Sequence, residues 1–157
     1  MKTSTVDLSS TAARQQWISV LAAAPLASLE TALESCNPLP SYSYLRSPEI
    51  GLAMVRGRTG GTGSPFNLGE ITLTRCVVQL NDQPVCGFGY AAGRSQRQAE
   101  LAALCDALLQ TIAWQSKIYN QVIVPLAAEA QQRREQENRQ TDATQVNFFT
   151  MLRGEVS

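Results

Sequence analysis

The chain has 157 residues, 44% hydrophobic and 17% charged, which suffices for one domain with a core and does not require two. Its 13 basic and 13 acidic residues cancel, so no net field draws it to nucleic acid or to a membrane, and any anion site has to be local. It contains no histidine, which excludes Ser-His and Cys-His nucleophile pairs, imidazole metal ligands and the usual general base near neutral pH.

Met1 to Ser10 carry Lys2 but no apolar h-region, and no later stretch approaches the roughly 18 to 20 apolar residues of a spanning helix. A cytoplasmic protein is expected. Trp17, Val20, Leu21 and Ala24 recur at helical spacing after the cap candidates Ser9 and Ser10, and predict a first helix. Pro25 ends it or opens the next, and Leu26, Leu29 and Leu33 mark a second helix, stopped before Pro38 and Pro40.

The period then becomes two. Tyr42 with Tyr44, and Ile50 with Leu52 and Met54, predict two strands, followed by a glycine-rich loop from Gly57 to Gly69. In the next strand Thr72, Thr74, Cys76, Val78 and Leu80 share one face, while Leu73, Arg75 and Val77 share the other. After the turn Asn81 to Pro84, a returning strand puts Cys86, Phe88 and Tyr90 on one side. Its other side holds Val85, Gly87, Gly89 and Ala91, a small surface that invites close approach of a helix or backbone.

Ser95 with Gln98 forms a capping-box pattern, opening a long helix with the stripe Leu101, Leu104, Cys105, Leu108 and Ile112. Pro125 is expected to kink or break it ahead of a polar segment, Leu126 to about Gln140. The apolar cluster Phe148, Phe149, Met151 and Leu152 then needs something to dock on. The fold class is therefore α+β: two N-terminal helices, a mainly antiparallel sheet of about four strands and a long C-terminal helical arm. Residues 1–157 form one domain, with 126–157 as arm and docking tail.

Arg56-Gly57-Arg58-Thr59-Gly60-Gly61-Thr62-Gly63 combines guanidinium groups with glycines whose N–H groups can converge on an anion, with phosphate the natural guest. No Gly-Lys-Ser/Thr follows, so it is not a P-loop; the plainer alternative is a hairpin connection. Arg75, inside an apolar strand, needs a carboxylate or phosphate, with Glu70 and Glu100 as candidates. Arg94 precedes a helix N-terminus, another anion-favouring place, although capping alone explains that position. Tyr90 and Trp114 read as core, and Glu70, Glu100 and Asp106 as surface or salt-bridge carboxylates. The four cysteines, Cys36, Cys76, Cys86 and Cys105, form no CxxC pair and are expected as reduced thiols without a metal.

Four stretches in this order, Arg58 to Gly63, Leu73-Thr74-Arg75, Gly93-Arg94 with Ala99-Glu100-Leu101, and Asn147 to Gly154, resemble the PhnG family, the small subunit of the bacterial carbon-phosphorus lyase core. The resemblance spans nearly the whole chain. It implies a cytoplasmic hetero-oligomer with PhnH, PhnI and PhnJ subunits and an ATPase-like companion. There a phosphonate displaces adenine from the anomeric carbon of ATP, and a partner subunit's iron-sulfur cluster later serves cleavage of the carbon-phosphorus bond. It also implies a histidine just before Ala99-Glu100, where this chain has Gln98, so an imidazole there is not required. No catalytic residue and no cofactor are carried over to this chain, with ATP a substrate of the assembly. The expected role is an accessory subunit whose basic glycine loop, Arg75 and Arg94 face phosphate or phosphonate; a purely structural scaffold is the alternative.

Overall fold

The computed structural model describes residues 10–143. Helix α1 (Thr11–Ala23) starts where Ser10 Oγ accepts the Ala13 N–H at 3.1 Å, and it buries Trp17 and Leu21. Pro25 stands at the N-cap of α2 (Leu26–Glu34), which buries Leu29 and Leu33. The two expected N-terminal helices are present.

Three antiparallel strands follow in the order β1-β2-β3: β1 (Tyr42–Arg58), β2 (Pro65–Leu80) and β3 (Cys86–Ala92). Among the described residues the sheet has three strands where about four were expected, because the two segments before the glycine loop are one strand. Its pairing with β2 is irregular between Tyr44 and Arg46 and again between Arg46 and Glu49. Each irregularity inserts one extra residue, which reverses the inward and outward alternation, and Pro48, lacking an N–H to donate, sits in the second. Read as a plain period of two, the strand looks broken there. Most of the expected glycine loop is likewise strand: only residues 59–64 connect β1 to β2.

The helices cover one face of the sheet. Thr74, Cys76, Val78 and Leu80 are buried, as the alternation in β2 predicts. The small face of β3 receives α3 (Gln96–Leu109): a Cβ built on Gly87 would overlap the Ala103 carbonyl oxygen and lie 2.6 Å from the Ala107 nitrogen. Gly89 meets Ala99 and Ala103 in the same way. Two glycines are what let helix and strand backbones touch. On the opposite face Phe88 and Tyr90 are exposed, which corrects the expectation that Tyr90 is core. Trp114 does pack against the core, with Lys117 Nζ 5.0 Å from its ring.

The long helix ends earlier than its stripe suggests. Gln110 caps α3 and Thr111 is extended (φ −103°, ψ 133°), so α4 (Ile112–Ile118) starts on a new axis and Ile112 is 97% exposed instead of buried. Thr111 Oγ1 donates to Leu108 O at 2.8 Å and Gln115 Nε2 to Leu109 O at 3.0 Å, which satisfies carbonyls freed by the break. Pro125 breaks nothing. A π turn at Tyr119–Ile123, with Val124 N–H on Tyr119 O, carries the chain into α5 (Val124–Ala143). The wider turn accommodates a residue with no N–H. Beyond Gln131 nearly all of α5 is exposed, and it carries Glu-Arg and Gln-Glu contacts at i, i+4 such as Arg133 to Glu129 at 3.2 Å.

Candidate functional site

The feature that separates this molecule from a plain sheet-on-helix domain is a projecting ribbon. Strand β3 pairs with β2 only from Leu73 to Gln79, whereas β1 follows β2 out to Arg58 opposite Pro65. Residues 52–58 and 65–72 therefore form a two-stranded stem with no third strand among the described residues. Leu52, Met54, Phe66, Leu68 and Ile71 are all exposed on it, and Ile50 at its base is too. One further irregularity, between Val55 and Arg56, makes Leu68 the unpaired extra residue and turns the last rungs.

At the tip, Arg56 and Arg58 point to one side of the strand, two residues apart. Gly60 (φ 60°) and Gly61 (φ 78°) occupy the left-handed region that a tight reversal needs. The Thr59 carbonyl accepts both the Thr62 and the Gly63 N–H, the latter at 2.9 Å, and Arg58 donates to Gly63 O at 3.2 Å. Arg56, Gly57, Arg58, Gly61 and Pro65 line a shallow open depression. The sequence from Ile50 to Gly69 contains no carboxylate, and neither arginine makes an ion pair with a described residue. Two of the turn's N–H groups are thus already used internally, while the guanidinium charge is not neutralised.

The remaining candidates lie elsewhere. Arg75 faces Glu49 across the β1–β2 ladder and binds it at 2.5 Å, with Arg46 also 3.4 Å from Glu49. Its partner is neither Glu70 nor Glu100. Ten residues of β2 separate Arg75 from Pro65, roughly 33 Å along the strand, so Arg75 and the tip cannot meet one phosphate. Arg94 follows Gly93 (φ 93°) and makes no ion pair with a described residue, while Ser95 Oγ accepts the Gln98 N–H at 3.2 Å. The docking candidates Phe148, Phe149, Met151 and Leu152 lie outside the described residues.

Two carboxylate clusters carry more organisation than their sequence positions suggest. Asp106 is completely buried, and Arg14 grips it through Nε at 3.1 Å and Nη2 at 2.7 Å, while Trp17 Nε1 donates at 2.9 Å. Glu100 Oε1 accepts both Tyr42 and Tyr44 hydroxyls at 2.5 Å, and Arg97 donates to Oε2 at 3.0 Å. Burial by itself would raise Glu100; the hydrogen bonds from Tyr42, Tyr44 and Arg97 outweigh it and hold the carboxyl below its usual range. The hydrogen bond to Glu100, with some burial, pushes Tyr44 up to about 12. Both clusters join segments more than 50 residues apart, a relation that no local pattern announces.

All four cysteines are free, and burial, then the charge of Glu100, raises Cys76 to about 11. Among the described residues no three His, Cys, Asp or Glu side chains are placed to hold a metal ion, and no helix is long and apolar enough to cross a membrane.

A family profile described as phosphonate metabolism protein PhnG matches residues 12–154. Over 154 residues, 96% of each chain, the sequence is 41% identical to the alpha-D-ribose 1-methylphosphonate 5-triphosphate synthase subunit PhnG of Rhizobium meliloti (strain 1021). The chain belongs to the PhnG family of phosphonate metabolism proteins.

Proposed function

We propose that this chain is an accessory subunit of an alpha-D-ribose 1-methylphosphonate 5-triphosphate synthase. It works in the cytoplasm beside PhnI-, PhnH- and PhnJ-type subunits and an ATPase-like companion, and it is needed when methylphosphonate displaces adenine from ATP. The similarity to a synthase subunit supports this reading, and one structural observation carries it: an apolar two-stranded stem ends in two arginines with no carboxylate. A lone ribbon is marginal in water, so the stem asks for a cover and the tip for an anion.

In that reaction a phosphonate oxygen bonds to the anomeric carbon as the bond to adenine breaks. The substrates carry triphosphate and phosphonate charge on both sides of that carbon. Arg56 and Arg58 at the end of a seated ribbon offset this charge, and other subunits supply the reacting groups; the iron-sulfur cluster of the later cleavage belongs to a partner. In the reconstituted complex, Arg56→Ala and Arg58→Ala each lower ATP-dependent adenine release by about tenfold with assembly intact. Unchanged kinetics would remove the ligand role.

A scaffold role is the second reading, and the turn itself favours it. Thr62 and Gly63 N–H groups are satisfied by Thr59 O, and Arg58 holds Gly63 O, so the tip is closed without any guest. On that reading the arginine variants are silent in turnover, and only changes in the stem matter.

A further inference from the structure

The two edges of the sheet are treated differently. On β3, the outward Phe88 N–H donates to Asp106 Oδ2 at 2.9 Å and the outward Cys86 carbonyl accepts from Gln110 Nε2 at 2.9 Å. Side chains of the α3 region thus close that edge against a further strand. Early in β1 the bulge at Pro48 interrupts the edge. From Glu49 to Val55 the register with β2 then runs without irregularity.

The direction of the backbone groups in this run follows from one bond. Gly93, just after β3, donates its N–H to Thr72 O at 2.9 Å, so the Thr72 carbonyl points toward the β3 side and away from β1. In an antiparallel ladder the residue opposite then also points its N–H and C=O away from its neighbour. Leu52 is that residue, and with regular alternation Ile50 and Met54 behave alike. Their N–H and C=O groups face the open edge, while Gly51, Ala53 and Val55 bond to β2.

We propose that this edge accepts a β-strand from another subunit of the assembly, bonded to the outward groups of Ile50, Leu52 and Met54. The exposed side chains of these three residues, 49%, 65% and 53% accessible, supply an apolar strip for its alternate side chains. The incoming segment is extended and apolar, and carries no basic residue beside Arg56 and Arg58, whose charge no acidic residue between Ile50 and Gly69 offsets. A second copy of this chain fits worse: its own edge run, Ile50 to Arg58, would bring two more arginines and no carboxylate, and the Glu49 before it is already bound by Arg75 and Arg46. An uncharged run of six residues, Ile50 to Val55, on an edge that no described strand covers is otherwise an aggregation hazard.

The proposal rests on the subunit reading, and its test separates the two. The wild-type chain, Leu52→Ala and Leu52→Pro are each co-expressed with PhnH-, PhnI- and PhnJ-type subunits, and co-purification is measured. Proline at an outward-facing position spares the β1–β2 ladder but blocks the edge. Leu52→Pro is expected to weaken assembly by about tenfold more than Leu52→Ala, the scale of a lost net hydrogen bond with its packing. Should the proline variant not fold, hydrogen exchange on the wild-type chain decides: the Leu52 and Met54 amides become protected in the complex. Equal assembly of the folded Pro and Ala variants, or amides that exchange as fast in the complex as in the free chain, would overturn the strand addition and leave the subunit role standing. Protection that already appears in a homodimer of the isolated chain would overturn it too, assigning the edge to a second copy. Failure of the wild-type chain to assemble at all would instead overturn the subunit reading, and this inference with it.

Discussion

The Asp106 carboxylate and the backbone N–H of Phe88 meet at 2.9 Å, so a residue of α3 closes the last strand of the sheet with the same side chain that anchors α1 through Arg14 and Trp17. One fully buried carboxylate ties together helix, strand and N-terminal segment, and it is satisfied on both oxygens. Asp106→Ala leaves a buried indole N–H and a strand N–H without acceptors, and frees Arg14. The expected loss is about 2–4 kcal/mol, below the largest values for buried pairs because the Arg14 side chain is one-third exposed. Asp106→Asn, which keeps one acceptor, loses less. Urea unfolding of the two variants checks the order.

Gly87 is one of the two tightest points between α3 and β3, with Gly89. Its missing Cβ is replaced by helix backbone, which cannot swing aside as a flexible side chain could. Gly87→Ala therefore separates the two elements and costs about 3 kcal/mol or more, with soluble yield and thermal midpoint both falling. Gly51→Ala, where a Cβ meets nothing within 4 Å, changes far less.

Gln98 is buried, and its side chain does not close the capping box back onto Ser95. Its Nε2 donates instead to Ala24 O at 2.7 Å and Ala22 O at 3.3 Å, at the end of α1. Gln98→Ala leaves those carbonyls without this donor and should lower stability by about 1–2 kcal/mol. Glu at this position offers no amide donor and is expected to be worse than Ala.

Glu100 makes stability fall on the acid side. Its folded-state pKa lies below the unfolded value, so its contribution is complete above the ordinary carboxylate pKa of about 4.3 and is lost as pH drops through the folded value. Chemical denaturation midpoints between pH 3 and 7 are expected to decline at the acid end for the wild type. Replacing Glu100 by Gln flattens that limb, and a limb unchanged by the substitution would assign it to other carboxylates. Tyr42→Phe and Tyr44→Phe each remove one donor and move the acid limb toward higher pH.

Much of this architecture is readable from residue order. The faces of β2, the small face of β3, the caps at Ser10 and Ser95 and the first two helices follow from periodicity and from what serine and glycine do locally. Other features are set by partners distant in sequence. The β1 bulges at Leu45 and Pro48 hide the continuity of one strand, and Thr111 ends a helix whose apolar stripe runs on to Ile112. Arg75 finds Glu49 because strand register, not sequence distance, puts them opposite one another. The candidate site is legible in its parts only: the basic glycine stretch is visible in the sequence, but alternating apolar residues look the same in a covered strand as in the exposed stem that bears it.

The most direct test of the central claim is adenine release from ATP and methylphosphonate, measured for the partner subunits without this chain, for the chain alone and for all together. Release is expected only from the full set. Turnover by the isolated chain, or by its partners at the full rate in its absence, would contradict the account.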